Sequence, residues 1–144
     1  MFKNILIATD GSELAEKAVQ QGLAVAKDMK AKATVVRATP VPRMFVTEGV
    51  VVETPPEVRE QVVRAVSEQF ARIEKEAKAA NVPCETLHVE NDIPSQAILD
   101  AAKQKGCDLI VMASHGRTGF SAAILGSETQ KVLAQSSIPI LVCR

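Results

Sequence analysis

The chain has 144 residues, 47% of them hydrophobic, and its 17 basic and 17 acidic residues give a formal net charge of zero. Zero net charge argues against non-specific binding to nucleic acid or to an anionic membrane, and the absence of Trp and Tyr argues against an aromatic base-stacking surface. The three widely spaced cysteines form neither a disulfide framework nor a zinc motif, which favours a reducing, cytoplasmic compartment.

Strand and helix patterns alternate along the chain. Short apolar runs at 5–8 and 108–112 are typical of strands buried on both faces, and further strands are predicted at 33–38, 85–90 and 138–143. Apolar residues at spacings of three and four predict helices at 13–29, 55–80, 96–105 and 127–136. The predicted N-caps are Ser12, Thr54, Ser95 and Ser127, with Glu57 and Gln130 completing capping boxes after Thr54 and Ser127.

This order of elements indicates a single α/β domain over residues 1–144, an open, mainly parallel five-stranded sheet with helices on both faces. In such sheets ligands bind beyond the carboxyl ends of the strands, where the strand order reverses. If the first and fourth strands flank that point, Asp10 and the segment 113–129 face one crevice. The connection at 39–53 contains Pro40, Pro42 and Gly49, and its length predicts a flap beside the site.

The stretch 109–129 contains a strand, a glycine-containing loop and a helix start in sequence. Glycines allow the backbone to approach an anion, and N–H groups at a helix start point towards it. The stretch therefore predicts a phosphate-binding loop, although a plain loop explains Gly116 and Gly119 equally well.

Four side chains are candidates for a role in or near this loop. Asp10 accepts hydrogen bonds from ribose hydroxyls, supports a metal ion, or only forms the turn before Gly11. Arg117 either meets an anion or is a solvated surface residue, and His115 either donates to a phosphate or orders the loop. His88 lies in a predicted strand, where a structural role is expected. No arrangement of nucleophile, base and acid is apparent, so we do not expect an enzyme.

The loop has the spacing Ala113-x2-Gly116-x9-Gly126-Ser127, which resembles the G-x2-G-x9-G-(S/T) signature of the nucleotide-binding branch of the universal stress protein family. The stretches 5–12, 107–112 and 138–142 are also similar to that family, so the resemblance covers essentially the whole chain. It implies a Rossmann-like sheet with strand order 3-2-1-4-5. It also implies a dimeric stress-response regulator or sensor, with at most slow ATP hydrolysis and with homodimers formed by edge-to-edge pairing of the last strands at 138–143.

The resemblance implies ATP as the ligand, with Mg²⁺ or Mn²⁺. By position, Asp10 would hold the ribose, and the adenine pocket would be lined by Ala8, Ala38 and Met112. Ribose and phosphates would be held by the backbone at Ala113, Gly116 and Gly126 and by the hydroxyls of Ser127 and Thr129. Ala113 replaces the first signature glycine, which costs about 1–2 kcal/mol if that position needs a positive φ. Glu128 adds a negative charge beside Ser127. The alternative is an interaction module that binds no ATP, or that prefers AMP or cyclic AMP.

Overall fold

The computed structural model describes residues 1–116 and 125–144. In chain order its elements are β1 (Asn4–Ala8), α1 (Glu13–Met29), β2 (Lys32–Thr39), β3 (Met44–Thr47), β4 (Val50–Glu53), α2 (Pro56–Ala79), β5 (Cys84–Glu90), α3 (Pro94–Gln104), β6 (Leu109–Ala113), α4 (Ser127–Gln135) and β7 (Ile140–Cys143). None of the helices in this described part is long and apolar enough to cross a membrane.

Five of the strands form one parallel sheet in the order β5-β2-β1-β6-β7. The predicted α/β class is confirmed. The two strands β3 and β4 were not predicted, and they form a separate small sheet. Without them the five main strands follow the order 3-2-1-4-5. The chain moves outward from β1 in one direction through β2 and in the other through β6, so a crevice opens between the carboxyl ends of β1 and β6.

The sheet has a hydrophobic core on each face, because side chains alternate along a strand. On β1, Ile5 and Ile7 belong to one core and Leu6 and Ala8 to the other, and all four are at most 8% exposed. The first core includes the inner faces of α1 and α2. The second includes residues of α3 and Val132 of α4. Residues of both cores therefore form the apolar walls of the crevice.

The predicted flap at 39–53 is a β-hairpin. Its strands β3 and β4 are antiparallel, and the two-residue turn at Glu48 and Gly49 has φ values of 49° and 76°, as a type I′ hairpin turn requires. All eight strand residues are exposed. At the base, Thr54 N–H donates to the Arg43 carbonyl at 2.8 Å and Arg43 N–H donates to Thr54 Oγ1 at 3.1 Å.

Only one of the four predicted N-caps is confirmed. Ser12 Oγ accepts a hydrogen bond from Ala15 N–H at 3.2 Å. The other three predicted caps are wrong, since the residues at those positions are Pro55, Ile93 and Gly126. The Thr54 hydroxyl closes the hairpin instead, and prolines at the first positions of α2 and α3 fix where those helices begin. The predicted capping boxes are also wrong, because their caps are absent; the Gln130 side chain donates to the Leu125 carbonyl at 2.7 Å.

Candidate functional site

A cavity of about 260 Å³ lies beyond the carboxyl ends of β1 and β6. Seven of the predicted site residues line it, namely Ala8, Asp10, Ala38, Met112, Ala113, His115 and Gly116. The lining also includes six residues that were not predicted as site residues, namely Thr9, Ala15, Val36, Pro94, Ile98 and Glu128. The structure therefore brings together both ends of the predicted site, although they lie about a hundred residues apart in sequence.

The apolar wall of the cavity belongs mainly to the core shared with α3 and α4. Ala8, Val36 and Met112 are members of that core, and Ile98 reaches it from α3. Alanines at strand ends leave room that larger side chains would fill. Val36 was detectable from sequence because it precedes Ala38 by two positions on β2 and so shares its face.

Asp10 lies at the polar rim of the cavity and also forms a turn. Its Oδ1 accepts a hydrogen bond from Ser12 N–H at 2.9 Å, which is the turn role, and the same residue lines the cavity. The two interpretations of Asp10 are thus compatible. A Cβ added at Gly116 would overlap Asp10 Oδ2. Gly116 is therefore required by the close approach of this carboxylate.

Ala113 fits its position without backbone strain. It is the last residue of β6 and lies opposite Cys143 of β7. The non-glycine residues with positive φ in the described part of the chain are Lys30, Glu48 and Asn81. The cost expected for alanine at a left-handed position does not arise, and only the volume of the methyl group distinguishes Ala113 from glycine.

Gly126, Ser127 and Thr129 do not line the cavity. Gly126 N–H donates to the Ser114 carbonyl at 2.7 Å, and the Thr129 hydroxyl, on a residue only 3% exposed, donates to the Ala113 carbonyl at 3.0 Å. These two bonds fasten the start of α4 to the end of β6. Ser127 is exposed at the first residue of α4. Arg117, the remaining predicted site residue, is outside the described residues.

Glu128 joins the starts of α4 and α3 across the cavity wall. Its Oε2 accepts a hydrogen bond from Ser95 N–H at 2.7 Å, and its Oε1 accepts one from Lys131 Nζ at 2.9 Å. Burial raises the pKa of Glu128, but the hydrogen bonds from Lys131 and Ser95 outweigh burial, so that the net pKa lies below its ordinary value. The carboxylate is ionised at neutral pH, and its charge is partly balanced by Lys131 and by the N-terminal end of α3.

A buried polar network supports the first loop of the site from the opposite face. Gln69 of α2, 1% exposed, accepts a hydrogen bond from an Arg37 guanidinium nitrogen at 2.7 Å and donates to Thr9 Oγ1 at 3.1 Å and to Glu16 Oε1 at 2.7 Å. Thr9 Oγ1 also accepts from Gly11 N–H at 3.2 Å. The network fixes the backbone on both sides of Asp10.

The two histidines differ in position. His115 lines the cavity, and its Nδ1 lies 3.2 Å from the hydroxyl oxygen of Ser114. His88 is on the edge strand β5 away from the cavity, with its Nε2 2.7 Å from Thr39 Oγ1, and burial lowers its pKa. No group of three or more metal-ligating side chains occurs within residues 1–116 and 125–144.

A parallel sheet in this order, with a cavity at its switch point, defines an α/β domain of the Rossmann-like class. The chain belongs to the universal stress protein family, whose family model matches residues 1–144. It is 36% identical to a universal stress protein of Thermus aquaticus over 146 residues and 31% identical to YxiE of Bacillus subtilis over 149 residues, with 100% of each chain covered in both cases.

Solved structures show the same fold. The structure of the protein MJ0577 superposes with a TM-score of 0.78 at 26% identity, covering 99% of this chain and 96% of that one. The universal stress protein MJ0577 of Methanocaldococcus jannaschii is also a sequence relative of this chain, with 28% identity over 157 residues, 100% of this chain and 96% of the relative. A universal stress protein in complex with cAMP gives a TM-score of 0.73 at 20% identity, covering 99% and 97%. One from Archaeoglobus fulgidus in complex with dAMP gives 0.66 at 19% identity, covering 99% and 98%.

Proposed function

We propose that this chain binds an adenine nucleotide in the cavity beyond β1 and β6, and that ATP is its ligand. The supporting observation is the lining of the cavity, which is apolar at Ala8, Ala38 and Met112 and bears a carboxylate at Asp10. A purine base has apolar faces, and ribose hydroxyls donate hydrogen bonds to a carboxylate. The volume of about 260 Å³ is slightly below the usual range of ligand pockets, about 300–1,000 Å³, and this size suits the base and ribose better than a whole triphosphate.

The phosphates would extend towards the start of α4. The first N–H groups of a helix have no partner within the helix, and the helix dipole contributes about 0.3–1 kcal/mol to a nearby anion. Each charge-assisted hydrogen bond contributes about 1.5–3 kcal/mol, whereas micromolar binding needs about 8 kcal/mol. The base and the ribose must therefore supply a large part of the affinity. A Mg²⁺ or Mn²⁺ ion would enter with the phosphates, which are its usual ligands in nucleotide sites.

A ligand with fewer phosphates is the second candidate. Glu128 places an ionised carboxylate on the cavity wall, and a negative charge there opposes a triphosphate more than a monophosphate. Two proteins of similar fold are described in complex with cAMP and with dAMP. AMP or cyclic AMP is therefore the natural competitor of ATP for this site, and an interaction module without a nucleotide is the remaining alternative.

Calorimetric titration tests the proposal. The protein is unfolded, freed of carried-over ligand, refolded, and titrated with ATP, AMP and cyclic AMP in the presence of Mg²⁺. We expect saturable micromolar binding of ATP. In Ala38→Leu, where the larger side chain fills the cavity, binding should be lost, whereas Ala71→Leu on the exposed face of α2 should bind like the wild type.

The possible results separate the parts of the proposal. Tight binding of AMP or cyclic AMP but not ATP retains the adenine site and rejects ATP. Binding that is unaffected by Ala38→Leu places the ligand elsewhere. If the folded protein binds none of the three compounds, nucleotide binding is rejected and the interaction module is favoured.

The chain is further proposed to act as a cytoplasmic, dimeric stress-response regulator. The edge strand β7 supports dimer formation, since it is the last strand of the sheet and Leu141 is 40% exposed, and an unprotected apolar edge is suited to strand pairing. Leu141→Lys should weaken the dimer at least tenfold in sedimentation analysis. Leu133→Lys, at an equally exposed residue of α4 (42%), is the control; equal effects of both changes would reject the β7 interface.

We also infer that the chain is not a dedicated enzyme and hydrolyses ATP slowly at most. His115 lines the cavity together with Asp10 and Glu128, but within the described residues the hydrogen-bond contact of its Nδ1 is the neighbouring Ser114 hydroxyl, whereas a catalytic triad has a carboxylate at that position. Phosphate release should therefore remain far below the turnover of ordinary enzymes, about 1–1,000 per second. Sustained multiple turnover that is lost with Ala38→Leu would contradict this inference.

A further inference from the structure

The hairpin β3–β4 exposes apolar side chains on both of its faces. In the cross-strand register, Phe45 lies opposite Val52 on one face and Val46 lies opposite Val51 on the other. The exposed fractions of these four residues are 54%, 38%, 68% and 58%, in that order. Met44, at the end of β3, is 70% exposed. A hairpin packed against its own domain would bury one of its faces, so this hairpin presents a surface without a partner in the described chain.

The apolar surface of the hairpin is typical of an interaction site. All six apolar residues of the hairpin are at least 38% exposed, and Val50 among them is 60% exposed. Val41 (41%) and Ile93 (52%), near the base of the hairpin, are also exposed. The exposed apolar surface therefore continues from the strands to the base of the hairpin.

We propose that the hairpin is a self-association surface, which pairs through the β3 edge with β3 of a second copy of this chain. A two-stranded hairpin is marginally stable in water, and three or more strands with an apolar face are needed for independent stability. Two copies joined at β3 form a four-stranded antiparallel sheet and meet that need without any other partner. The zero net charge of the chain does little to oppose such association.

The charges at the ends of the strands select β3 over β4. Arg43 precedes β3 and Glu48 follows it. Antiparallel pairing of two β3 strands therefore brings Arg43 of each copy near Glu48 of the other, with apolar residues between them. Pairing of two β4 strands over their full length would place Glu53 of each copy opposite Val50 of the other, and no pair of opposite charges would form. Arg43 also binds Asp92 in its own chain, but its side chain is 66% exposed and a guanidinium has five donors.

This surface is separate from the β7 edge proposed for the dimer. The two strands lie in different sheets, so both can be occupied at once, and a chain with two self-complementary interfaces forms assemblies larger than a dimer. A change confined to β3 should therefore halve the number of chains in the assembly. A tetramer joined at both surfaces would become a dimer, and a dimer joined only at the hairpin would become a monomer.

Sedimentation equilibrium of the full chain tests the inference. Val46→Asp should weaken association at least tenfold, because it places a charge in the paired strand. Val63→Asp, on the exposed face of α2 (41%), is the matched control and should leave association unchanged. Circular dichroism and a thermal melt establish that both variants fold. If Val46→Asp leaves the mass of the assembly unchanged, the surface is not used by a second copy and the inference is overturned, whatever other molecule the hairpin contacts.

A charge exchange tests the strand arrangement. Glu48→Lys places two cations near each other in a β3 pair, and Arg43→Glu places two anions near each other, so each variant alone should associate several-fold more weakly than the wild type. An equimolar mixture of the two variants restores opposite charges at both ends of the pair and should recover association. A mixture that associates no better than either variant alone overturns the antiparallel β3 pairing.

Discussion

Replacing Gly116 with alanine tests the contact between the loop and the first strand. The backbone at Gly116 does not have a positive φ, so alanine is conformationally allowed there. The added methyl group overlaps Asp10 Oδ2. The Asp10 carboxylate must therefore move, and its 2.9 Å hydrogen bond with Ser12 N–H is weakened or lost.

The magnitude follows from two opposing effects. A hydrogen bond to a charged acceptor contributes about 1.5–3 kcal/mol, and the partial exposure of this one places it near the lower limit. Alanine in place of glycine at a compatible position stabilises by about 0.4–1 kcal/mol through the unfolded chain. Gly116→Ala should thus lower the free energy of unfolding by about 1 kcal/mol. In an Asp10→Ala background, where the obstacle is absent, the same change should raise it by about 0.4–1 kcal/mol.

The assay is a double-mutant cycle with urea denaturation of the wild type, Gly116→Ala, Asp10→Ala and the double variant. Residues in contact typically couple by 0.5–3 kcal/mol, and the values above predict a coupling free energy of about 1.5–2 kcal/mol. The reversal of sign between the two backgrounds is the decisive feature. Equal destabilisation by Gly116→Ala in both backgrounds would refute the proposed collision with Asp10. Because unfolding is measured without ligand, the result is independent of nucleotide binding.

Three further predictions concern residues that support the site. Gln69→Leu should lower the free energy of unfolding by about 2–4 kcal/mol in urea denaturation, because it leaves the buried Arg37 guanidinium without this acceptor; a loss below 1 kcal/mol would contradict the network. Gly126→Asp should abolish ATP binding in calorimetry, since a Cβ there lies 3.0 Å from the His115 Cα and the carboxylate repels phosphate; unchanged affinity would reject the site. Glu128→Gln should be less stable than the wild type at neutral pH. Because the pKa of Glu128 is lowered in the folded protein, the ionised carboxylate stabilises the fold at pH values above the ordinary glutamate pKa of about 4.3. This contribution is lost as the pH falls through the lowered pKa, so the difference in unfolding free energy between the two proteins should disappear at acid pH.

The main sheet and one end of the site were predictable because their signals are local. Apolar runs such as Ile5 to Ala8 identify strands buried on both faces, and the crevice follows from parallel topology alone. Ala8, Ala38 and Met112 reach the cavity because they are near the carboxyl ends of such strands. The single confirmed helix cap, Ser12, precedes a helix that has no proline in its first turn.

The rest depends on which elements pack together, which local sequence does not state. Pro94 and Ile98 line the cavity because α3 covers that face of the sheet, and nothing in their own neighbourhood indicates it. The hairpin was predicted only as a flap, since Val50, Val51 and Val52 are apolar on both faces and lack the alternation typical of a half-buried strand. Thr54 is a residue type that commonly caps helices, but its hydroxyl accepts a hydrogen bond from Arg43 N–H at the base of the hairpin instead.

The turn of the hairpin has a thermodynamic consequence for anything that the hairpin contacts. Glu48 and Gly49 both adopt positive φ, the conformation that matches the natural twist of two antiparallel strands, and Thr54 and Arg43 close the opposite end. The turn and the closed base therefore favour the paired conformation of the eight strand residues before any encounter. Ordering a flexible segment of that length would cost roughly 1–2 kcal/mol per residue, on the order of 10 kcal/mol in all. Partial preorganisation of the hairpin reduces that entropic penalty, so more of the free energy of the apolar contacts is retained as affinity.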